Sequence, residues 1–176
     1  MNLLKHMRIT LIGMAGVGKT TFGEQIALEN NYEFIDIDTL INNTIKTPMN
    51  TYIKTHSEDE FLALENSIIL NLKLPKKCII STGGSAIYCK NAMTHLKKNS
   101  TIVFLTDNLT NIKNRIPDLN SRGIITKNHT SFEDIYNSRL PLYKHYQDIT
   151  VNLPSPLNIK KALSIIYKKL SWHIKQ

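Results

Sequence analysis

The chain has 176 residues, 41% hydrophobic and 20% charged, which suits one compact domain able to bury a core without staples. A net charge of +8 comes from 22 Lys and Arg against 14 Asp and Glu. The lysines fall in scattered pairs (Lys76 with Lys77, Lys97 with Lys98, Lys168 with Lys169) rather than in one stripe. With no RNA-binding aromatic signature, no zinc-finger spacing and no apolar run of spanning length, neither nucleic acid nor membrane is an expected partner; a small anionic substrate suits the same charge.

The N-terminal stretch MNLLKHMRITLIG has a short apolar run but no small-residue cleavage site, and it leads into a glycine loop, so no signal peptide is expected. RITLIG (8–13) reads as a buried strand, followed by a helix from about Lys19 to Asn30. YEFIDID (32–38) reads as a second strand. In DEFLALENSIILNL (59–72), Phe61, Ile68 and Leu72 stand at near-helical spacing. KCIIST (77–82) and STIVFL (100–105) supply the third and fourth strands. RIPDLNSRGIITKNHTS (115–131) has no clear periodicity and holds Pro117 and Gly123, which suits a lid spanning about 116–130. DITVNL (148–153) is the fifth strand. A last helix in LNIKKALSIIYKKL (157–170) sets Ile159, Leu163, Ile166 and Leu170 against the sheet.

This alternation predicts an α/β fold with a parallel sheet covered on both faces, a single domain over 1–176, and ligands at the carboxyl ends of the strands. Cys78 and Cys89, with no CxxC partner or His cluster, are expected to be reduced and structural, in a cytoplasmic protein.

The strongest motif runs Gly13-Met14-Ala15-Gly16-Val17-Gly18-Lys19-Thr20 and satisfies G-x-x-x-x-G-K-[ST] between a strand and a helix. Glycines permit positive φ, so that backbone N–H groups turn inward as a nest for phosphate oxygens, and the helix start adds its partial positive charge. Lys19 brings a point charge to the β- and γ-phosphates, and the Thr20 hydroxyl is placed to ligate Mg²⁺. Gly13, Gly16, Val17, Gly18, Lys19, Thr20 and Thr21 are therefore the candidate residues for a nucleoside triphosphate. A GTPase would carry D-x-x-G and N-K-x-D. No Asp here has Gly three residues on, and N-K-x-D is absent. Phosphoryl transfer to a small acceptor fits better.

In FIDIDTLI, Asp36 and Asp38 lie two apart, so in a strand both would point to one side, where a cation and a substrate hydroxyl would relieve their repulsion. Asp36 is the candidate for metal-bound water and Asp38 for the acceptor hydroxyl. A pair of solvated strand-end acids is the alternative. Gly83 and Gly84 in STGGSAIY offer close backbone approach to a ligand, or merely a tight turn.

As a set, these motifs resemble the shikimate kinase family. FIDIDTLI stands for its F-x-D-x-D-x-x-I, FLALE for F-R-x-x-E, STGGS for T-G-G-G, SRGII for the lid arginine, and RLPLYKHYQDITV for R-x-P-L-Y-x-x-x-A-D, all in order from about residue 8 to 153. The resemblance implies a three-layer αβα P-loop kinase of the nucleoside-monophosphate-kinase type. Its five-stranded parallel sheet would run in the order 2-3-1-4-5, with a mobile lid and an acceptor-binding region over about 36–72. It further implies ATP and Mg²⁺ as cofactors, a small hydroxy-carboxylate as acceptor and a monomer. By position, Asp38 would contact the acceptor hydroxyl and Asp36 the Mg²⁺ water. Gly83 and Gly84 would contact substrate, Arg122 would close on the phosphates as the lid arginine, Arg139 would grip the carboxylate and Arg115 would stack on adenine. A planar guanidinium suits each of the three arginine roles. Arg115 as a surface cation and Arg139 as a structural ion-pair former are the plainer alternatives.

Three positions depart from the pattern: Leu62 replaces an arginine, Ser85 the third glycine and Gly123 the lid proline. Losing a two-pronged arginine contact costs about 3–4 kcal/mol, some hundredfold or more in affinity. Leu62 also brings apolar surface to where a carboxylate would lie. It points toward another small hydroxy acid or an amino acid alcohol such as homoserine, or toward nucleotide binding without turnover, whereas the motif set as a whole points toward shikimate.

Overall fold

Ile9, Thr10, Leu11 and Ile12 are all completely buried, as a central parallel strand requires, and they form β1 (Arg8–Ile12). The computed structural model describes residues 7–116, 123–128 and 131–175. Helix α1 (Lys19–Asn30) begins after Gly18, which has φ +106°, and ends at Asn31 in the left-handed conformation. β2 (Glu33–Asp36) follows, then α2 (Ile37–Ile45), α3 (Met49–Thr55) and α4 (Glu58–Leu70). The chain continues through β3 (Cys78–Ser81), a 3₁₀ turn (Ala86–Tyr88), α5 (Lys90–Asn99), β4 (Thr101–Thr106) and α6 (Leu109–Asn114). It closes with α7 (Phe132–Tyr146), β5 (Ile149–Asn152) and α8 (Ile159–Ile174).

The five strands are parallel and ordered β2-β3-β1-β4-β5, with helices on both faces, as expected. One layer is α1 and α8, which touch each other and the sheet, and α4, α5 and α7 lie in the other. Register sets the site. Ser81 pairs with Leu11 on one side and Asp36 on the other, so β1, β2 and β3 end in one row. The glycine loop, the start of α2 and the Thr82–Ser85 turn therefore leave the sheet side by side at its carboxyl edge.

One expectation about the strands fails. β2 stops at Asp36, so Asp36 and Asp38 do not share a strand face. Asp36 Oδ1 instead accepts the backbone N–H of Thr39, which makes Asp36 the N-cap of α2 and puts Asp38 in its first turn. Helix spacing explains the switch, because Ile37 and Ile41 are i and i+4 and both are fully buried. Both cysteines are free and buried; Cys89 Sγ donates to the Leu62 carbonyl. Burial pushes the Cys78 thiol up to about 11 and the Cys89 thiol up to about 12. Among the described residues no helix is long and apolar enough to cross a membrane.

Candidate active site

After Ile12 the chain turns at Gly13 with φ +143°, where an added Cβ would meet the Leu105 carbonyl oxygen. At Gly16, φ +80°, a Cβ would lie 2.6 Å from Ile116 Cγ1, so this turn too needs glycine on grounds of both space and conformation. Lys19 folds back over the loop, its Nζ donating to the Gly13 and Met14 carbonyls at 2.9 and 3.0 Å. Thr20 Oγ1 donates to Asp36 Oδ2 at 3.0 Å, tying the helix after the loop to the end of β2.

Beside this loop lies a cavity of about 420 Å³. Gly16, Gly18, Lys19, Thr20, Thr21 and Arg115 are among the residues that line it, together with Asp38, Gly83, Gly84, Arg139, Met49, Phe61 and Ser85. Gly13 and Val17 are not on its wall. Val17 is fully buried and its N–H bonds the Met14 carbonyl at 3.2 Å, so these two residues shape the loop from beneath. Arg122 lies outside the described residues, as does most of the expected lid.

Arg115 does more than a plain surface cation would. Its guanidinium pairs with Asp107, which Asn111 Nδ2 also bonds at 2.8 Å, and its side chain is 24% exposed at the cavity rim. Arg139 is 1% exposed and forms no ion pair among the described residues. Its Nη2 donates to the Ile125 carbonyl at 2.6 Å, its guanidinium lies 5.4 Å from the Tyr88 ring centroid, and its Nε is buried without a partner. Gly84 makes room for it, since a Cβ there would lie 2.8 Å from Arg139 Nη1. The Gly84 carbonyl is held by Tyr143 Oη at 2.7 Å. A buried guanidinium that lines a cavity is suited to a planar anion.

Sequence reasoning assigned no role to Glu65, the last residue of FLALE. It is fully buried; its Oε2 accepts from Ser85 Oγ at 2.8 Å and its Oε1 has no partner. A Cβ on Gly83 would lie 2.7 Å from Glu65 Oε1 and 2.9 Å from Asp38 Oδ1, so two carboxylates meet over that glycine. Burial, with the Asp38 charge adding to it, raises the Glu65 pKa to about 7 against the pull of Ser85, Arg139 and Lys19. The departures at positions 62 and 85 are thereby located. Leu62 is buried away from the cavity wall, which Phe61 forms instead, and the Ser85 hydroxyl is spent on Glu65.

The shikimate kinase family model matches residues 15–168. This chain belongs to the shikimate kinase family. A shikimate kinase from Caldicellulosiruptor saccharolyticus is 32% identical over 93% of this chain and 97% of its own length. One from Clostridium botulinum is 34% identical over 92% and 96%. Among solved structures, the shikimate kinase of Acinetobacter baumannii in complex with shikimate shares the fold with a TM-score of 0.84. It is 24% identical and covers 96% of each chain. Family membership makes the chain a phosphotransferase acting on a hydroxyl group, so the expected P-loop kinase fold and enzyme class both stand.

Proposed function

We propose that the protein transfers the γ-phosphoryl group of ATP to a hydroxyl of shikimate, giving shikimate 3-phosphate. The observation that carries this is one cavity lined by Lys19 of the phosphate loop, Asp38 and Arg139. Relatives about one-third identical over nearly the whole chain are shikimate kinases, which favours this reading over homoserine, another hydroxy acid or an inactive nucleotide binder.

Triphosphate oxygens would take the inward N–H groups of the glycine loop and the Lys19 ammonium, with Arg115 stacked on adenine and Arg122 closing from the lid. Thr20 and Asp36 fit a Mg²⁺ site: both offer oxygen, and Thr20 gives its proton to Asp36, leaving its lone pairs outward. No group of three His, Cys, Asp or Glu placed to hold a metal occurs among the described residues, consistent with a cation held largely by phosphate and water. Bound there, Mg²⁺ would neutralise charge on the β- and γ-oxygens. Arg139 holds the acceptor carboxylate. Asp38 aligns the acceptor hydroxyl and takes its proton as that oxygen bonds to the γ-phosphorus and the bond to ADP breaks. Most of the acceleration then comes from positioning and fixed charge. The protein acts as a cytoplasmic monomer without nucleic acid, a reading supported by its two buried free thiols and scattered lysines.

Coupled ADP release tests this. Shikimate should stimulate turnover and homoserine should not; Lys19→Ala and Asp38→Asn should each lower kcat by about 10³-fold. Stimulation by homoserine alone would overturn the acceptor, and near-normal turnover of Asp38→Asn would place the acceptor elsewhere.

A further inference from the structure

The segment 123–128 runs from the cavity to the start of α4 and is fastened at 125–127. Ile124 and Ile125 line the cavity, and the Ile125 carbonyl accepts the Arg139 Nη2 proton at 2.6 Å. One and two residues on, a single carboxylate takes hold. Glu58 Oε1 accepts from Thr126 N at 2.6 Å and from Thr126 Oγ1 at 2.9 Å, while Oε2 accepts from Lys127 N at 2.8 Å. Glu58 is the first residue of α4, the helix that also carries Phe61 and Glu65, and the preceding Ser57 has φ +119°, a backbone conformation that side chains other than glycine rarely adopt. Burial pushes the Glu58 carboxyl up, yet these three bonds and the Lys127 charge outweigh it and the pKa is lowered, so the clasp is ionised at neutral pH.

We infer that Glu58 is a positioning residue for the acceptor site. It fixes 124–127 so that the Ile125 carbonyl holds Arg139 Nη2 and sets how the guanidinium stands at the cavity wall, where the acceptor's carboxylate would meet it. The chain of contact is short: Glu58 to Thr126, one peptide unit to Ile125, then Arg139. Asp59 beside it also reaches the segment, through Lys127 Nζ at 2.5 Å, but its side chain is 87% exposed and the ion pair contributes little. The inference rests on Arg139 taking the acceptor carboxylate, as proposed above.

Glu58→Gln keeps the shape, removes the charge and turns an N–H₂ group toward a backbone donor. Losing at least one bond to a charged acceptor should raise the KM for shikimate about tenfold, with kcat and the KM for ATP within about threefold. Asp59→Asn should leave all three unchanged. A melting temperature lowered by Glu58→Gln with the shikimate KM unmoved would show a merely structural clasp and overturn the inference. Equal rises in both KM values would do the same. Should Glu58→Gln fail to fold, Thr126→Val, which removes one of the three bonds, should raise the shikimate KM about threefold, and no change there would also overturn it. Lack of shikimate-dependent turnover in the unmodified enzyme would sink the acceptor assignment itself, a separate result.

Discussion

Replacing Glu65 by Gln should change how stability depends on pH. The unfolded carboxyl has a pKa of 4.5 and the folded one about 7, so the folded state binds the proton more tightly. Stability from this group is therefore full below pH 4.5 and is lost as the pH rises through 7. Linkage gives a cost of about 1 kcal/mol at pH 5 and about 3 kcal/mol at pH 8. No discount for solvent screening applies, because the side chain is fully buried. The glutamine side chain of the variant has no proton to lose, and its amide oxygen can still accept from Ser85. Urea unfolding of both proteins at pH 5 and pH 8 isolates the effect, since titrating groups remote from Glu65 cancel in the comparison. The variant should gain about 2 kcal/mol relative to the parent between the two pH values. A stability gap that moves by less than about 1 kcal/mol would mean that Glu65 is ionised throughout and that the buried-acid account is wrong.

Gly13→Ala combines φ +143° with a clash against the Leu105 carbonyl, so it should destabilise by about 2–4 kcal/mol in urea and also weaken ATP binding; retention of both would refute the close approach. Leu62→Arg puts a guanidinium one turn before Glu65 on α4, where it can reach the unpartnered Oε1. The pH slope assigned to Glu65 should then flatten, with the shikimate KM little changed because position 62 is off the cavity wall. An unchanged slope would show that an arginine at position 62 does not reach Glu65.

The sheet was readable because five short β-branched runs are bounded by polar or glycine-rich turns, and each strand lies within about a residue or two of its expected limits. α1 was equally plain, since glycine precedes it and Asn31 follows it. The start of α2 was not, because Phe34 to Asp38 alternates like a strand and only the Asp36–Thr39 cap ends it. α7 was obscured by Pro141, which reads as a break although the helix continues past it. Glu65 and Arg139 show a different limit. Nothing local marks a charged side chain for burial, and only tertiary packing brings Glu65 against Gly83 and Arg139 against Gly84. Resemblance carried Arg139 to its position, and no argument from spacing could have done so.

The two cysteines offer a native clock. With thiols this weakly acidic and this well covered, a thiol-exchange reagent finds almost no thiolate until the surrounding structure opens. Cys78 stands in the interior of the sheet, between its neighbours β2 and β1, while Cys89 is latched to α4, the helix that carries Phe61 of the cavity wall. Labelling rates at the two sites therefore time separate events, and their ratio tells whether the α4 flank breathes independently of the sheet.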